Sequence, residues 1–299
     1  MRGKCLLVRL GFVHPKNLAG FRLLCRAADC DLVDCDEALE EWMATEPWRV
    51  VWIPYGAVDP GVFPNAQKVV LGPHNFTFPM PPWNTAQIHS DRGVYNCLSE
   101  WNRRLCASSG GALGLPLVCL PFPVDVERFR PLAPAVEPRW DCFLYIKHRW
   151  PEEAQLAERI LQDLGLHYVK VVYGSYKEEE YLEILRSSRF GVWVGAHESQ
   201  GFALQEALSC NVPLVVWDVQ RIGQEIADSG AENYTGSAGE FWATSCPYWS
   251  DRCGIRIRSV LELKESIQEI QKPGGAWEPR KFILESVSPT ALAVKWGLN

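Results

Sequence analysis

The chain has no surplus of positive charge. Its 30 Lys and Arg stand against 36 Asp and Glu, a formal net charge of −6. It therefore lacks the basic footprint that non-specific nucleic-acid binding requires. No stretch approaches the roughly 18 consecutive apolar residues needed to span a bilayer. The opening run, residues 1–11, is interrupted by Arg9 and does not read as a signal peptide. Cys-x-x-Cys spacing is missing although cysteine is not. Eleven cysteines are scattered from Cys5 to Cys253, and the five-residue intervals of Cys25, Cys30 and Cys35 do not suit zinc. Reduced, mostly buried thiols are expected, in a chain that is cytoplasmic or at most peripheral to a membrane. The first apolar run leads into Gly11-Phe-Val-His14 and not into Gly-x-Gly-x-x-Gly, which argues against an NAD-dependent enzyme. Solenoid-length repeats and low-complexity tracts are absent as well.

What is present is an ordinary globular composition, 47% hydrophobic and 22% charged, over 299 residues, enough for two cores. Short apolar runs alternate with longer mixed segments, the pattern of an α/β protein with parallel sheets. In the first half, strands are expected at 5–10, 49–53, 68–71, 93–98 and 117–120, and helices at 18–28, 37–45 and 100–108. Between Arg130 and Trp140 three prolines fall within eight residues, which neither a helix nor a central strand sustains, so a domain boundary is placed there. Alternation then restarts, with strands at 141–146, 168–173, 190–194 and 213–217 and helices at 152–164, 177–187, 202–209 and 261–270. Leu156, Ile160 and Leu164 form the expected apolar stripe of the first of these helices. The run Lys177-Glu-Glu-Glu180 reads as a solvated helix start. Trp52 and Trp217 are expected in the core, while Trp83, Trp242 and Trp249 sit in loop-like segments where a tryptophan could stack on a ligand ring.

The segment with chemistry in it is 192–216. A buried strand ends near Gly195, a polar loop carries His197 and Glu198, and a helix begins at Gly201 or Phe202. The first turn of a helix leaves backbone N–H groups without intrahelical acceptors, and its dipole favours an anion. Gly201 permits close backbone approach. Glu198 in the loop can accept hydrogen bonds from sugar hydroxyls, and Glu206 along the helix can accept from both hydroxyls of a ribose. Each glutamate taken alone is also consistent with an ordinary solvated carboxylate.

Glu198 and Glu206 are separated by seven residues and followed by Val212-Pro-Leu-Val. This Glu-x7-Glu element resembles the donor-binding motif of retaining GT-B glycosyltransferases, family 4 in particular (glycosyl transferases group 1). Leu120-Pro-Phe-Pro-Val-Asp125-Val-Glu-Arg-Phe129-Arg-Pro131 is similar to that family's interdomain segment. Phe143-Leu-Tyr-Ile-Lys147-His-Arg149 is similar to the first strand of its nucleotide domain. The resemblance covers most of residues 117–220 and is mainly topological before that. It departs from the family at Gly11, where one glycine stands in place of two, and at Lys147-His148-Arg149, where the basic pair is compressed.

The resemblance implies two Rossmann-like domains whose parallel sheets face a central cleft. They would span an acceptor domain at 1–132, a nucleotide-sugar domain at 138–280 and a tail at 281–299 that packs back on the first. It implies retaining, metal-independent hexosyl transfer from a UDP- or GDP-sugar to a glycan or other hydroxyl acceptor, with no obligate cofactor. Lys147 and Arg149 would neutralise the pyrophosphate, Glu198 would hold the sugar and Glu206 the ribose. Gly201, Phe202, Ala203 and Leu204 would meet sugar and phosphate, and Tyr173, Gly174 and Ser175 the base. His74, Gly11 and His14 would lie on the acceptor side. A second reading of the same residues is a binding module that has kept the fold and lost turnover.

Overall fold

The computed structural model describes residues 2–36, 39–56, 58–73, 92–108, 114–132, 137–226 and 240–298. The chain divides into two compact units, residues 1–125 with 286–299, and residues 126–285. The expected acceptor-side His74 and the loop tryptophan Trp83 lie outside the described residues. Among the described residues no helix is long and apolar enough to cross a membrane.

The first unit is built on β1 (Gly3–Arg9), α1 (Pro15–Ala27), β2 (Cys30–Cys35), α2 (Glu41–Thr45), β3 (Val50–Tyr55), β4 (Lys68–Leu71), β5 (Gly93–Cys97), α3 (Glu100–Ser108) and β6 (Leu117–Cys119). Its strands are parallel in the order β2-β1-β3-β4-β5-β6. Interior strands of such a sheet are covered on both faces and so read as unbroken apolar runs. Cys5, Leu6, Leu7 and Val8 of β1 and Val50, Val51, Trp52 and Ile53 of β3 are fully buried. The edge strand β2 was not expected, because Cys-Asp-Leu-Val-Asp-Cys is only part-covered and carries two acids.

The helix Pro289–Trp296 belongs to this unit. Trp296 is fully buried against the rings of Trp52, Phe21 and Phe122 at 6.3, 5.5 and 5.2 Å. Its indole N–H donates to the Pro121 carbonyl at 3.0 Å, and Arg49 donates to the carbonyl of Leu298 at 2.5 Å. Ser288 caps the helix by accepting from the Ala291 N–H, and Gly297 ends it in the left-handed conformation, φ +78°.

The second unit holds β7 (Trp140–Ile146), α4 (Pro151–Asp163), β8 (Tyr168–Val172), α5 (Glu178–Arg186), β9 (Ser188–Val194), α6 (Phe202–Ser209), β10 (Leu214–Trp217), β11 (Gly254–Ile257) and α7 (Leu263–Ile270), followed by a helix at Pro279–Ser286. The sheet order is β11-β10-β9-β7-β8, parallel throughout. Strand β11 emerges from a segment without periodicity and was not expected. The stripe on α4 also differs from expectation. Ala154, Ala157 and Leu161 are its buried line, with Ile160 and Leu164 packed on the shoulder of the core. Two alanines let the helix backbone approach the sheet, and the larger side chains flank the contact.

Residues 126–132, which lead into the proline-rich stretch, go with the second unit, where several of their carbonyls are held. Arg280 donates to the carbonyls of Val126, Phe129 and Ser209 at 3.1, 3.1 and 2.7 Å. The Ser209 hydroxyl donates to the Phe129 carbonyl at 2.5 Å, and Arg186 donates to that of Arg128 at 2.8 Å.

Replacing Trp296 with alanine removes the largest side chain from the terminal helix. The Trp296→Ala variant should lose about 3–5 kcal/mol of unfolding free energy, read as a lower midpoint in urea for the first unit.

Candidate functional site

In the second sheet the strand order reverses between β7 and β9, with β8 to one side and β10 and β11 to the other. Ligands of open α/β sheets bind outside the carboxyl ends of the strands at such a reversal. Lys147 leaves β7 there, and residues 195–201 leave β9 there. The buried strands confine polar chemistry to these exits.

Lys147 and Glu198 meet at that point. The ammonium donates to Glu198 Oε1 at 2.8 Å, with the two side chains only 15% and 14% exposed. The same ammonium lies 4.5 Å from the ring centroid of Tyr173, an exposed residue in the turn after β8. Burial on its own would lower the Lys147 pKa. The attraction and hydrogen bond of Glu198 outweigh it, with smaller contributions from Tyr173 and Glu225, and the net shift is upward. The cation is therefore held charged by the acid beside it.

Arg149, two residues on, goes elsewhere. His148 between them adopts a left-handed backbone, φ +47°, which is strained for a residue with a side chain. The turn sends the Arg149 side chain into the domain, where it is 1% exposed. Nε and Nη2 form a forked pair with Glu153 at 2.8 and 2.7 Å, and Nη1 donates to the carbonyls of Trp217 and Gly195 at 3.0 and 3.3 Å. The guanidinium also stacks over the Trp217 ring at 4.8 Å. Adjacent basic residues, given one role from sequence, thus occupy two environments. Lys147 stands at the strand exit, and Arg149 braces the carboxyl ends of β9 and β10.

Gly201 precedes α6 in the left-handed conformation, φ +84°, where a side chain would be strained. The helical ladder begins with the Gln205 N–H on the Gly201 carbonyl at 3.0 Å. The N–H groups of Ala203 and Leu204 therefore have no acceptor within the helix. Phe202 and Ala203 are part-exposed, while Leu204 is buried. Glu206 is 4% exposed on the same helix. Beneath it Tyr181 donates its hydroxyl to the Ala203 carbonyl at 2.8 Å, and its phenol is pushed up by burial, then by Tyr176 and Glu206. Tyr173, Gly174 and Ser175 form an exposed turn after β8, tied by Tyr173 N–H to the Ile146 carbonyl at 2.9 Å.

Residues not singled out from sequence complete the loop. The Glu225 carboxylate accepts the His197 backbone N–H at 2.5 Å and contacts the same residue's ring Nδ1. Asp218, at the exit of β10, accepts from Thr244 and Ser245, and the Thr244 carbonyl accepts the Glu198 N–H at 3.0 Å. Burial pushes the Asp218 carboxyl up, against the pull of those donors. Neither acid lies in a recognisable spacing. The only available signal was their place just past a buried strand.

On the first unit, Gly11 and His14 leave β1, where that sheet also reverses order. A Cβ at Gly11 would come within 2.2 Å of the Tyr55 ring, so the position is glycine because of packing. His14 caps α1, its Nδ1 accepting the Lys16 N–H at 3.3 Å. Asp34 and Asp36, in an Asp-x-Asp spacing, pair with Arg9 and Arg22. Among the described residues, no group of three or more His, Cys, Asp or Glu is arranged to hold a metal. Trp242 is exposed, and Trp217 is buried under Arg149.

No protein-family model matches the sequence, and no curated protein does. Solved structures match in fold. AviGT4, a glycosyltransferase involved in avilamycin A biosynthesis, is 15% identical with a TM-score of 0.50, over 99% of this chain and 96% of that one. A sucrose-phosphate synthase from Thermosynechococcus elongatus is 11% identical with a TM-score of 0.52, over 99% and 98% of the two chains. The fold, two α/β units each on a parallel sheet, is that of GT-B glycosyltransferases.

The two basic residues should respond differently to loss. Arg149→Ala leaves Glu153 and two carbonyls without their donor and should cost about 3–5 kcal/mol of stability in urea unfolding. For Lys147 the sign follows from its environment. A lysine with a raised value keeps its charge fully below the ordinary value of about 10.4 and loses it only as pH rises through the raised one. Glu198→Gln removes the largest raising influence and leaves the burial, so the value should fall. An NMR pH titration of the Lys147 side chain should then show the variant losing its charge at a lower pH than the unaltered protein.

Proposed function

We propose that the chain is a retaining glycosyltransferase of the family 4 type. It moves a hexose from a UDP- or GDP-sugar to a hydroxyl of a glycan or other acceptor, without an obligate metal or cofactor. The observation that carries this reading is the Lys147–Glu198 pair beside the Gly201 turn, at the reversal point of the second sheet. One cation, one acid and a helix start converge there, the complement of a diphosphate joined to a polyol.

In this reading Lys147 faces the donor phosphates together with the N–H groups of Ala203 and Leu204 and the turn at Phe202. Its ammonium has three donors, and only one is engaged by Glu198. Glu198 meets the sugar hydroxyls, Glu206 grips the ribose, and the turn Tyr173-Gly174-Ser175 borders the base. Arg149 contributes by holding the strand ends from within. Gly11 and His14 belong to the acceptor side, as does His74.

The bond from the anomeric carbon to the phosphate oxygen breaks, and its electron pair stays on the departing nucleoside diphosphate. Lys147 and the helix start stabilise that charge. The acceptor hydroxyl attacks from the face the phosphate leaves, and its proton passes to a phosphate oxygen. Retention follows without a covalent enzyme intermediate, and rate comes from positioning and fixed charge.

A thermal-shift screen of UDP-, GDP- and ADP-sugars should single out UDP- or GDP-sugars. A ligand at 100 times its Kd adds about 2.7 kcal/mol to stability. Glu198→Ala should lower transfer by about 10²-fold or more while the protein stays folded. Glu206→Ala should weaken nucleoside diphosphate binding by about 10-fold. Undiminished transfer by Glu198→Ala refutes the assignment. Tight binding of a nucleotide sugar without product from any acceptor would instead identify a binding module.

A further inference from the structure

We infer that Asp218 and Glu225 are positioning residues that hold the Glu198 carboxylate in place through the backbone of residues 197 and 198. The inference rests on the reading of Glu198 as the sugar-binding group. A loop residue has no sheet or helix ladder of its own, so the aim of its side chain depends on what anchors its amides. Here two consecutive amides are anchored by acid-based devices.

The His197 N–H donates to Glu225 Oε2 at 2.5 Å, and the ring Nδ1 of the same histidine contacts Oε1. The Glu198 N–H donates to the Thr244 carbonyl at 3.0 Å. Thr244 is in turn fixed by Asp218. Its hydroxyl lies 2.9 Å from both carboxylate oxygens, and the Ser245 N–H and hydroxyl donate to Oδ1 at 2.7 and 2.8 Å. The Cys246 N–H closes the turn on the Thr244 hydroxyl at 3.1 Å. Pro247, next in line, borders Gly201 at the start of α6. The segment bearing both acids is pinned by the Ala243 N–H on the Gln220 carbonyl at 3.2 Å and the Ile226 N–H on the His148 carbonyl at 2.9 Å. Glu198, Gly201 and the exit of β7 are thereby referred to one frame.

Stability alone is a poor reason for this arrangement. Asp218 and Glu225 are 4% and 2% exposed, and desolvating a carboxylate is costly even where donors offset it. Apolar groups in place of acids and side-chain donors together would often fill such a space as stably. What they would not supply is a directional hold on two particular amides. Preorganised polar groups of this kind are how a binding side chain is kept within a fraction of an ångström.

The test combines amide hydrogen exchange with a double-mutant cycle. Asp218→Asn replaces one acceptor oxygen with a donor facing the Thr244–Ser245 turn. The milder Ser245→Ala removes one donor and leaves the acid, and serves if Asp218→Asn does not fold. Exchange at the Glu198 amide should quicken by about 10-fold in either variant, with exchange in β7 and β9 unchanged. Affinity for UDP-glucose or GDP-mannose should fall about 10-fold, that for UDP or GDP by less than about twofold, and the loss should vanish in a Glu198→Gln background. An unchanged Glu198 amide overturns the inference, and so does an affinity loss that persists without Glu198. If neither sugar nucleotide binds the unaltered protein, the functional reading fails, and the amide exchange decides the positioning claim by itself.

Discussion

The ion pair of Lys147 with Glu198 is the interaction on which the candidate site depends. A mostly buried ammonium is unfavourable by itself, and so is a mostly buried carboxylate. Each makes the other tolerable at 2.8 Å. Their meeting is enforced by the sheet. Strands β7 and β9 are neighbours, with Ile146 opposite Val194 in the register, so the residues that follow them emerge side by side. The hydrophobic run that builds each strand is thus also what delivers a charged group to a defined spot at its end.

Around that pair, glycine and strain place the backbone. The left-handed Gly201 turns the chain into α6 so that its first amides open beside Glu198. The left-handed His148 separates Lys147 from Arg149, so that one cation stays at the exit and the other ties Glu153 to two strand ends. A residue with a side chain persists in that conformation only where its surroundings hold it. Here the His148 carbonyl accepts from Ile226. In the first unit, comparable economy of space appears at Gly11, which lies directly on Tyr55.

Much of this was legible in the residues. The alternation of apolar runs identified the parallel sheets, and the strand–loop–helix pattern around Glu198 and Gly201 is the one found at β9 and α6. Boundaries of the interior strands followed from their unbroken hydrophobicity. What was not legible depended on contacts distant in sequence. The edge strands β2 and β11 carry too little apolar signal, with two acids in the six residues of β2 and a glycine and an arginine in the four of β11. The inward turn of Arg149 is set by a backbone angle that composition does not encode. Asp218 and Glu225 read as unremarkable acids until the fold brings Thr244 and His197 to them. On α4 the expected stripe of Leu156, Ile160 and Leu164 gives way to Ala154, Ala157 and Leu161, because closeness to the sheet matters more there than side-chain size.

The account's central claim is that the cation at the exit of β7 meets the diphosphate of a nucleotide. Isothermal titration of UDP and GDP into the unaltered protein and into Lys147→Met, at one pH and one salt concentration, tests it most directly. The account predicts that the nucleotide which binds the unaltered protein binds the variant at least about 10-fold more weakly, as befits loss of a charge-assisted contact. Equal affinity in the two proteins, with the variant fully folded, would contradict it.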